Sequence, residues 1–350
     1  MANGESRLIA SPSALITSQD LGDTVLSHPT RRAALALPFA ALATPALAQA
    51  FPTRPIAMIV PFAAGGPTDT VARLIAQEMG RDLGGSVIVE NVGGAGGTLG
   101  AQRVAVARPD GYTILCHHIG MGVIPSLYRR LPYDGINGFE PIGMITEVPM
   151  TIVGRRELPA QNLQELIALI RQRREGLNLA NAGIGAASHL CGLMFQSALG
   201  VPMTTVPYRG TGPAMNDLVA GTVDLMCDQT TNTTEQIRAG TIRGFAVTTT
   251  ERVASLPNLP TAAEAGLPGF AVSVWHGLYA PRATPAEIVN RLSGSLQKAL
   301  AVPTLVQRFA DLGTVPVSQA QATPAYHRQF WTADIARWRP VIQAASAYAD

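Results

Sequence analysis

IAMIVPFAAGGPTDTVARLIAQEM, residues 56–79, reads as a strand, a glycine turn and a helix. Ile56, Met58, Ile59 and Val60 fit a short buried strand, Pro61 stops it, and Ala63, Ala64, Gly65 and Gly66 allow a tight turn with little side-chain bulk. Thr68 and Asp69 then suit the cap of a helix whose apolar positions Val71, Ala72, Leu74, Ile75 and Met79 recur at helical spacing. The unit leaves backbone N–H groups aimed at open space, where a helix start favours an anion such as a small carboxylate. Taken alone, the same unit serves equally as a connection that binds nothing.

Working outward, a chain of 350 residues is long enough for two domains and a large core. With 47% apolar and 14% charged residues it belongs with globular proteins. Lys298 is the only lysine, and the arginines are dispersed, so no basic stripe marks a nucleic-acid footprint. Cys116, Cys191 and Cys227 are odd in number and spaced widely in apolar runs, which fits small buried side chains better than a disulfide framework or a metal cluster.

Arg31 and Arg32 precede an apolar run, residues 33–47, and a small-residue site at Ala46, Leu47 and Ala48. That pattern predicts a secretory signal peptide over residues 1–48, cleaved after Ala48, with the arginine pair leaving a twin-arginine route open. No later stretch is long and apolar enough to span a bilayer, so a soluble, exported, monomeric protein is expected.

A second strand at Val87–Val89 runs into the glycine loop of Gly93, Gly94, Ala95, Gly96 and Gly97, then a helix from Thr98. A third strand, Tyr112–Cys116, ends at His117 and His118. Such alternation predicts parallel strands with right-handed crossovers and all loops at one sheet edge, where an open α/β sheet binds its ligand. Residues 158–174 read as a helix, and the alternation repeats over residues 177–247 with loops at 182–188 and 207–212. A strand at Phe270–Tyr279 returns to the first part, followed by helices at 285–301, 304–312 and 324–349. Crossings near Met150 and Ser273 give two α/β lobes, 49–150 plus 274–350 and 151–273, with a hinge and a cleft between them.

Six phrases stand in order: VPFAAGGPTD (60–69), ENVGGAGGTLG (90–100), PDGYT (109–113), LYRRLPYD (127–134), PYRGTGPA (207–214) and GTVDLMCD (221–228). Together they resemble the Bug receptors, the TctC-like substrate-binding proteins of tripartite tricarboxylate transporters, over nearly all of residues 51–345. The resemblance implies a type II periplasmic-binding-protein fold, capture of a small organic anion, a periplasmic location, delivery to membrane permease subunits, and no cofactor. It also implies two loop pincers that grip a carboxylate through backbone amides and hydroxyls. Carried onto this chain, the first pincer is Phe62, Ala64, Gly65, Gly66, Thr68 and Asp69, with Asp69 in a capping role, and the second is Ala95, Gly96 and Gly97.

In the second lobe the loop of Gly183, Ile184, Gly185, Ala186, Ala187, Ser188 and His189 resembles the family pattern, but Ala186 stands where a hydroxyl is usual. One polar contact to the far end of the ligand is then absent, which tunes specificity. His189 either braces this loop or meets the ligand. Strand alternation sends one of His117 and His118 to the cleft without saying which. Tyr208 and Arg209 lie near the cleft, with Arg209 pairing either to a carboxylate or within the loop. Asp228 either orients a loop or accepts a ligand N–H or O–H.

The rival is an NAD(P)-dependent enzyme, on the Gly94, Gly96, Gly100 spacing, but the next strand ends in Cys116, His117 and His118 where an acidic ribose ligand belongs. G-x-S-x-G, H-E-x-x-H and P-loop motifs are absent, which removes the common hydrolase classes. A sensor docking on a signalling protein would carry the same fold and site.

Overall fold

A computed structural model describes residues 51–173, 176–345 and 349, so the signal peptide read at residues 1–48 lies outside the described residues. β1 (Ile56–Val60) is nearly all buried and sits between two parallel neighbours, β2 (Val87–Asn91) and β3 (Thr113–His118). Its buried neighbour α1 (Pro67–Leu83) packs Val71, Ala72, Ile75 and Met79 against the sheet at zero exposure. The cap of α1 differs from the expectation. Gly66 is the N-cap and Pro67 opens the helix, a position where proline's missing N–H is harmless. Asp69 instead reaches back from the first turn to accept the N–H of Gly65, the residue before the N-cap, at 3.0 Å.

β4 (Phe139–Arg155) organises the remainder. Its residues 139–149 pair antiparallel with β9 (Ser273–Pro281), and from Met150 onward it pairs with β7 (Leu225–Gln229) and β8 (Ile242–Val247). β9 also pairs with β3, so one half-sheet runs β2-β1-β3-β9-β4. The other runs β4-β7-β5-β6, with β5 (Asn178–Asn181) parallel to β6 (Thr204–Pro207) and to β7. Phe139, Ile142, Met144, Ile145, Val148, Met150, Ile152 and Val153 are at most 1% exposed, as a strand covered on both faces requires.

Helices follow most strands: α2 (Thr98–Ala105), α3 (Gly120–Leu127), α4 (Leu163–Arg173), α5 (Ala187–Leu199), α6 (Thr211–Val219) and α7 (Thr230–Arg238). After β9 come α8 (Ala286–Leu300), α9 (Pro303–Asp311), the short β10 (Val315–Pro316) beside β4, and α10 (Pro324–Ala345). α3 escapes sequence reading because Gly120, Gly122 and Pro125 signal a break; burial of Met121, Val123, Ile124 and Leu127 holds it regardless. α4 starts five residues later than expected because the Asn162 side chain accepts the Glu165 N–H at 2.9 Å while Glu165 returns to the Gln161 N–H at 2.8 Å. Residues 49–350 form one compact unit.

Candidate functional site

The carboxyl ends of β1, β3, β5 and β7 face one another where the two half-sheets meet. Phe62, Gly66, Pro67, Thr68 and His118 close this space from one side, and Ala182, Ala187, Ser188, Thr211, Asp228 and Gln229 from the other. Four helices begin here: α1 at Gly66, α5 at Ala186, α6 at Gly210 and α7 at Gln229. Each start carries unpaired N–H groups and the positive end of its dipole, so their sum is an electrostatic well for an anion, with no lysine or arginine in the lining.

The histidines act as neutral donors. The His118 N–H donates to His117 Nδ1 at 2.7 Å and the Gly120 N–H donates to His118 Nδ1 at 3.0 Å. Both Nδ1 atoms are therefore acceptors, which fixes the ring protons on Nε2. Burial pushes His118 down to about 3, and burial together with His118 and His276 holds His117 well below the usual range. His118 is the one at the cavity; His117 turns its unpartnered Nε2 beneath Gly97, where an added Cβ would lie at 2.8 Å. Phe62 packs against both rings. His276 on β9, opposite His118 in register, meets Thr68 Oγ1 at 3.3 Å.

Asp228 is the one carboxylate in the lining and is 1% exposed. Burial pushes it up to about 6, against the lowering effect of hydrogen bonds from Asn232, the Gln229 N–H and the Thr211 hydroxyl. Gln229 Oε1, also buried, has no partner. An acceptor without a donor in a cavity of helix starts leaves a polar contact for a ligand to complete.

Several expected contacts lie elsewhere. The Gly65 amide is committed to Asp69, which also accepts from Arg73 Nε at 2.9 Å and Asn91 Nδ2 at 2.9 Å; burial raises its pKa, but these bonds outweigh that and lower it. Asp69 thus organises the turn from behind. Ala64 and Gly65 are exposed, and the Ala64 carbonyl lies against Gly212. Ala95 and Gly96 line an outer groove of ≈ 790 Å³ together with Tyr208 and Arg209. Tyr208 donates to Asp217 Oδ2 at 2.6 Å, and the Arg209 side chain is exposed. Gly97 caps α2 beside His117. Gly185 donates its N–H to His189 Nδ1 at 3.3 Å, which makes His189 a brace of its loop, and Ala186 is buried at the α5 start.

Ser188, Thr211 and Gln229 were missed by sequence reasoning. Ser188 accepts the Ala182 N–H at 2.9 Å. Thr211 stood within the PYRGTGPA phrase as a first helical residue after a glycine, a signal that went unused. Gly100, part of the dinucleotide-like spacing, serves packing, since a Cβ there would stand 2.6 Å from Pro61 Cβ.

The halves touch through glycines. An added Cβ at Gly96 would stand 1.7 Å from the Ile184 carbonyl oxygen, at Gly210 2.7 Å from Ala63 N, and at Gly212 2.5 Å from the Ala64 carbonyl oxygen. The Ala63 N–H donates across the seam to the Arg209 carbonyl at 3.0 Å. The space enclosed is ≈ 10 Å³, about one water. A larger solute does not fit this space as it stands.

Comparison with known proteins agrees with this architecture. The chain is 51% identical over 295 residues, 84% of it and 85% of the relative, to a UPF0065 protein from the TAR-I ttuE-ttuC' intergenic region of Agrobacterium vitis. Its fold is similar to that of the periplasmic binding protein BugD, with TM-score 0.83 and 48% identity over 86% of this chain and 100% of that one. It is similar also to MatC from Rhodopseudomonas palustris, solved with bound malate, with TM-score 0.80 and 42% identity over 83% of this chain and 100% of that one. The shared fold is that of a periplasmic binding protein. Among the described residues no helix is long and apolar enough to cross a membrane. Residues 71–346 match the family described as tripartite tricarboxylate transporter family receptor, and the chain belongs to that Bug/TctC family.

Proposed function

We propose that the chain is an exported receptor that captures a small dicarboxylate between its halves and hands it to the permease subunits of a tripartite tricarboxylate transporter. The observation that carries the reading is the convergence of four helix starts and the neutral His118 donor on one enclosed space without a cationic side chain. Such a space holds an anion by oriented dipoles and releases it when the halves separate. Malate bound to MatC supports the ligand class.

The reading assigns residues 49–150 plus 274–350 to one lobe and 151–273 to the other. β4 changes partners from Ser273 at Pro149 to Gln229 at Met150, which supports a hinge at those crossings. The glycine pincers then act mainly as closing surfaces, while Thr68, His118, Ser188, Thr211, Asp228 and Gln229 touch the solute. Burial keeps the imidazoles neutral, His276 beside the Thr68 hydroxyl included, and neutral groups suit holding an anion.

A thermal-shift screen over small mono-, di- and tricarboxylates tests the reading. L-Malate or a close dicarboxylate is expected to raise the unfolding midpoint by a few degrees, growing with concentration as RT ln(1 + [L]/Kd). A screen in which every carboxylate leaves the midpoint unmoved sinks the proposal.

A further inference from the structure

We infer that the Tyr128 hydroxyl latches the closed cleft and sets how slowly a captured solute leaves, without touching that solute; the inference rests on the closure proposed above. Tyr128 follows α3 in the first half, and its hydroxyl stands 2.9 Å from the Ala95 carbonyl oxygen and 3.0 Å from the Ile184 carbonyl oxygen. Ala95 belongs to the loop after β2, whereas Ile184 belongs to the loop after β5 in the other half. One O–H therefore lies between two acceptors that arrive from opposite sides of the seam. Two carbonyl dipoles facing each other repel, and a shared donor turns that repulsion into attraction.

Opening parts Tyr128 from Ile184 but leaves its bond to Ala95 intact, because both are on the same half. The hydroxyl thus favours the closed arrangement alone. Burial raises its pKa, so it stays a donor at any physiological pH. The backbone around it is pinned: Ala349 donates its N–H to the Leu127 carbonyl at 2.9 Å, and Arg129 donates to the Ala349 carbonyl at 3.1 Å. Tyr128 faces the outer groove and is absent from the lining of the inner cavity, which separates holding the seam from binding the solute.

Tyr128→Phe in the full chain keeps the ring and removes the donor. In stopped-flow measurements with L-malate, the dissociation rate is expected to rise about five-fold with the association rate unchanged, the size of one neutral hydrogen bond. Hydrogen exchange without ligand gives an independent readout, since the Ala63 N–H is protected only by the Arg209 carbonyl across the seam. Its exchange should quicken in Tyr128→Phe while the β1 amides keep wild-type rates. If wild type binds neither malate nor any other carboxylate of the screen, the receptor reading fails, and the Ala63 exchange still decides the latch. Unchanged exchange at Ala63, or faster exchange throughout the chain, overturns the inference.

Discussion

Gly96→Ala is expected to abolish tight ligand capture while leaving each half folded. The new Cβ would stand 1.7 Å from the Ile184 carbonyl oxygen, inside any permitted contact, and that atom is backbone that no rotamer change can move. The seam must part by more than an ångström there, which also separates Ile184 from Tyr128 and exposes the cavity to water. Backbone strain is modest: Gly96 has φ of +61°, and Ala95 beside it already takes +46°. Affinity for L-malate by calorimetry should fall about a hundredfold or more, equivalent to roughly 2.7 kcal/mol. Gly294→Ala is the control, because that glycine lies on α8 outside the site with nothing within 4 Å of its Cβ, and the change should leave affinity as it is. Wild-type affinity in Gly96→Ala would show that closure at this seam is not needed.

The second large effect is a pH dependence written by Asp228. With its carboxyl pushed up to about 6 in the buried cavity, a dianion arriving beside it raises the pKa further, so binding takes up a proton. Above pH 6 the affinity should fall by up to about tenfold per pH unit. The titratable groups facing Asp228 do not cross this window: burial holds His118 near 3 and Cys191 well above the usual thiol range. Malate carboxyls are ionised throughout it. Asp228→Asn should flatten the profile between pH 6 and 8. A wild-type affinity that is constant or rising with pH contradicts proton uptake. The same raised pKa means that the folded state binds this proton more tightly than the unfolded chain, so Asp228 weakens folding as pH rises through the range from about 3.9 to 6.

Strands and most helices were legible because their signals are local. The run from Ile56 to Val60, the helical spacing of Val71 to Met79, and the second alternation over residues 177–247 need no knowledge of the other half. α3 was not legible, since its glycines and proline argue against a helix and only burial beneath α10 decides the matter. At the site, Phe62, Gly66, Thr68, His118 and Asp228 were readable from strand ends and helix starts, and the structure brings all five into one lining. Gly65, Tyr208 and His189 carried the same local signals, yet their polar groups are taken by Asp69, Asp217 and Gly185. Which donor is already partnered depends on residues distant in sequence or on loop geometry, and neither can be read from a glycine spacing.

The placement of β9 between β3 and β4 has a bearing on biosynthesis. The half-sheet begun at Ile56 lacks an inner strand until Ser273–Pro281 has been made, long after His118. At typical translation speeds of about 5–20 residues per second that interval is roughly 8–30 s. During it, the nascent amino-terminal segment cannot complete its own core, and its unpaired strand edges stay open to whatever binds an unfinished sheet.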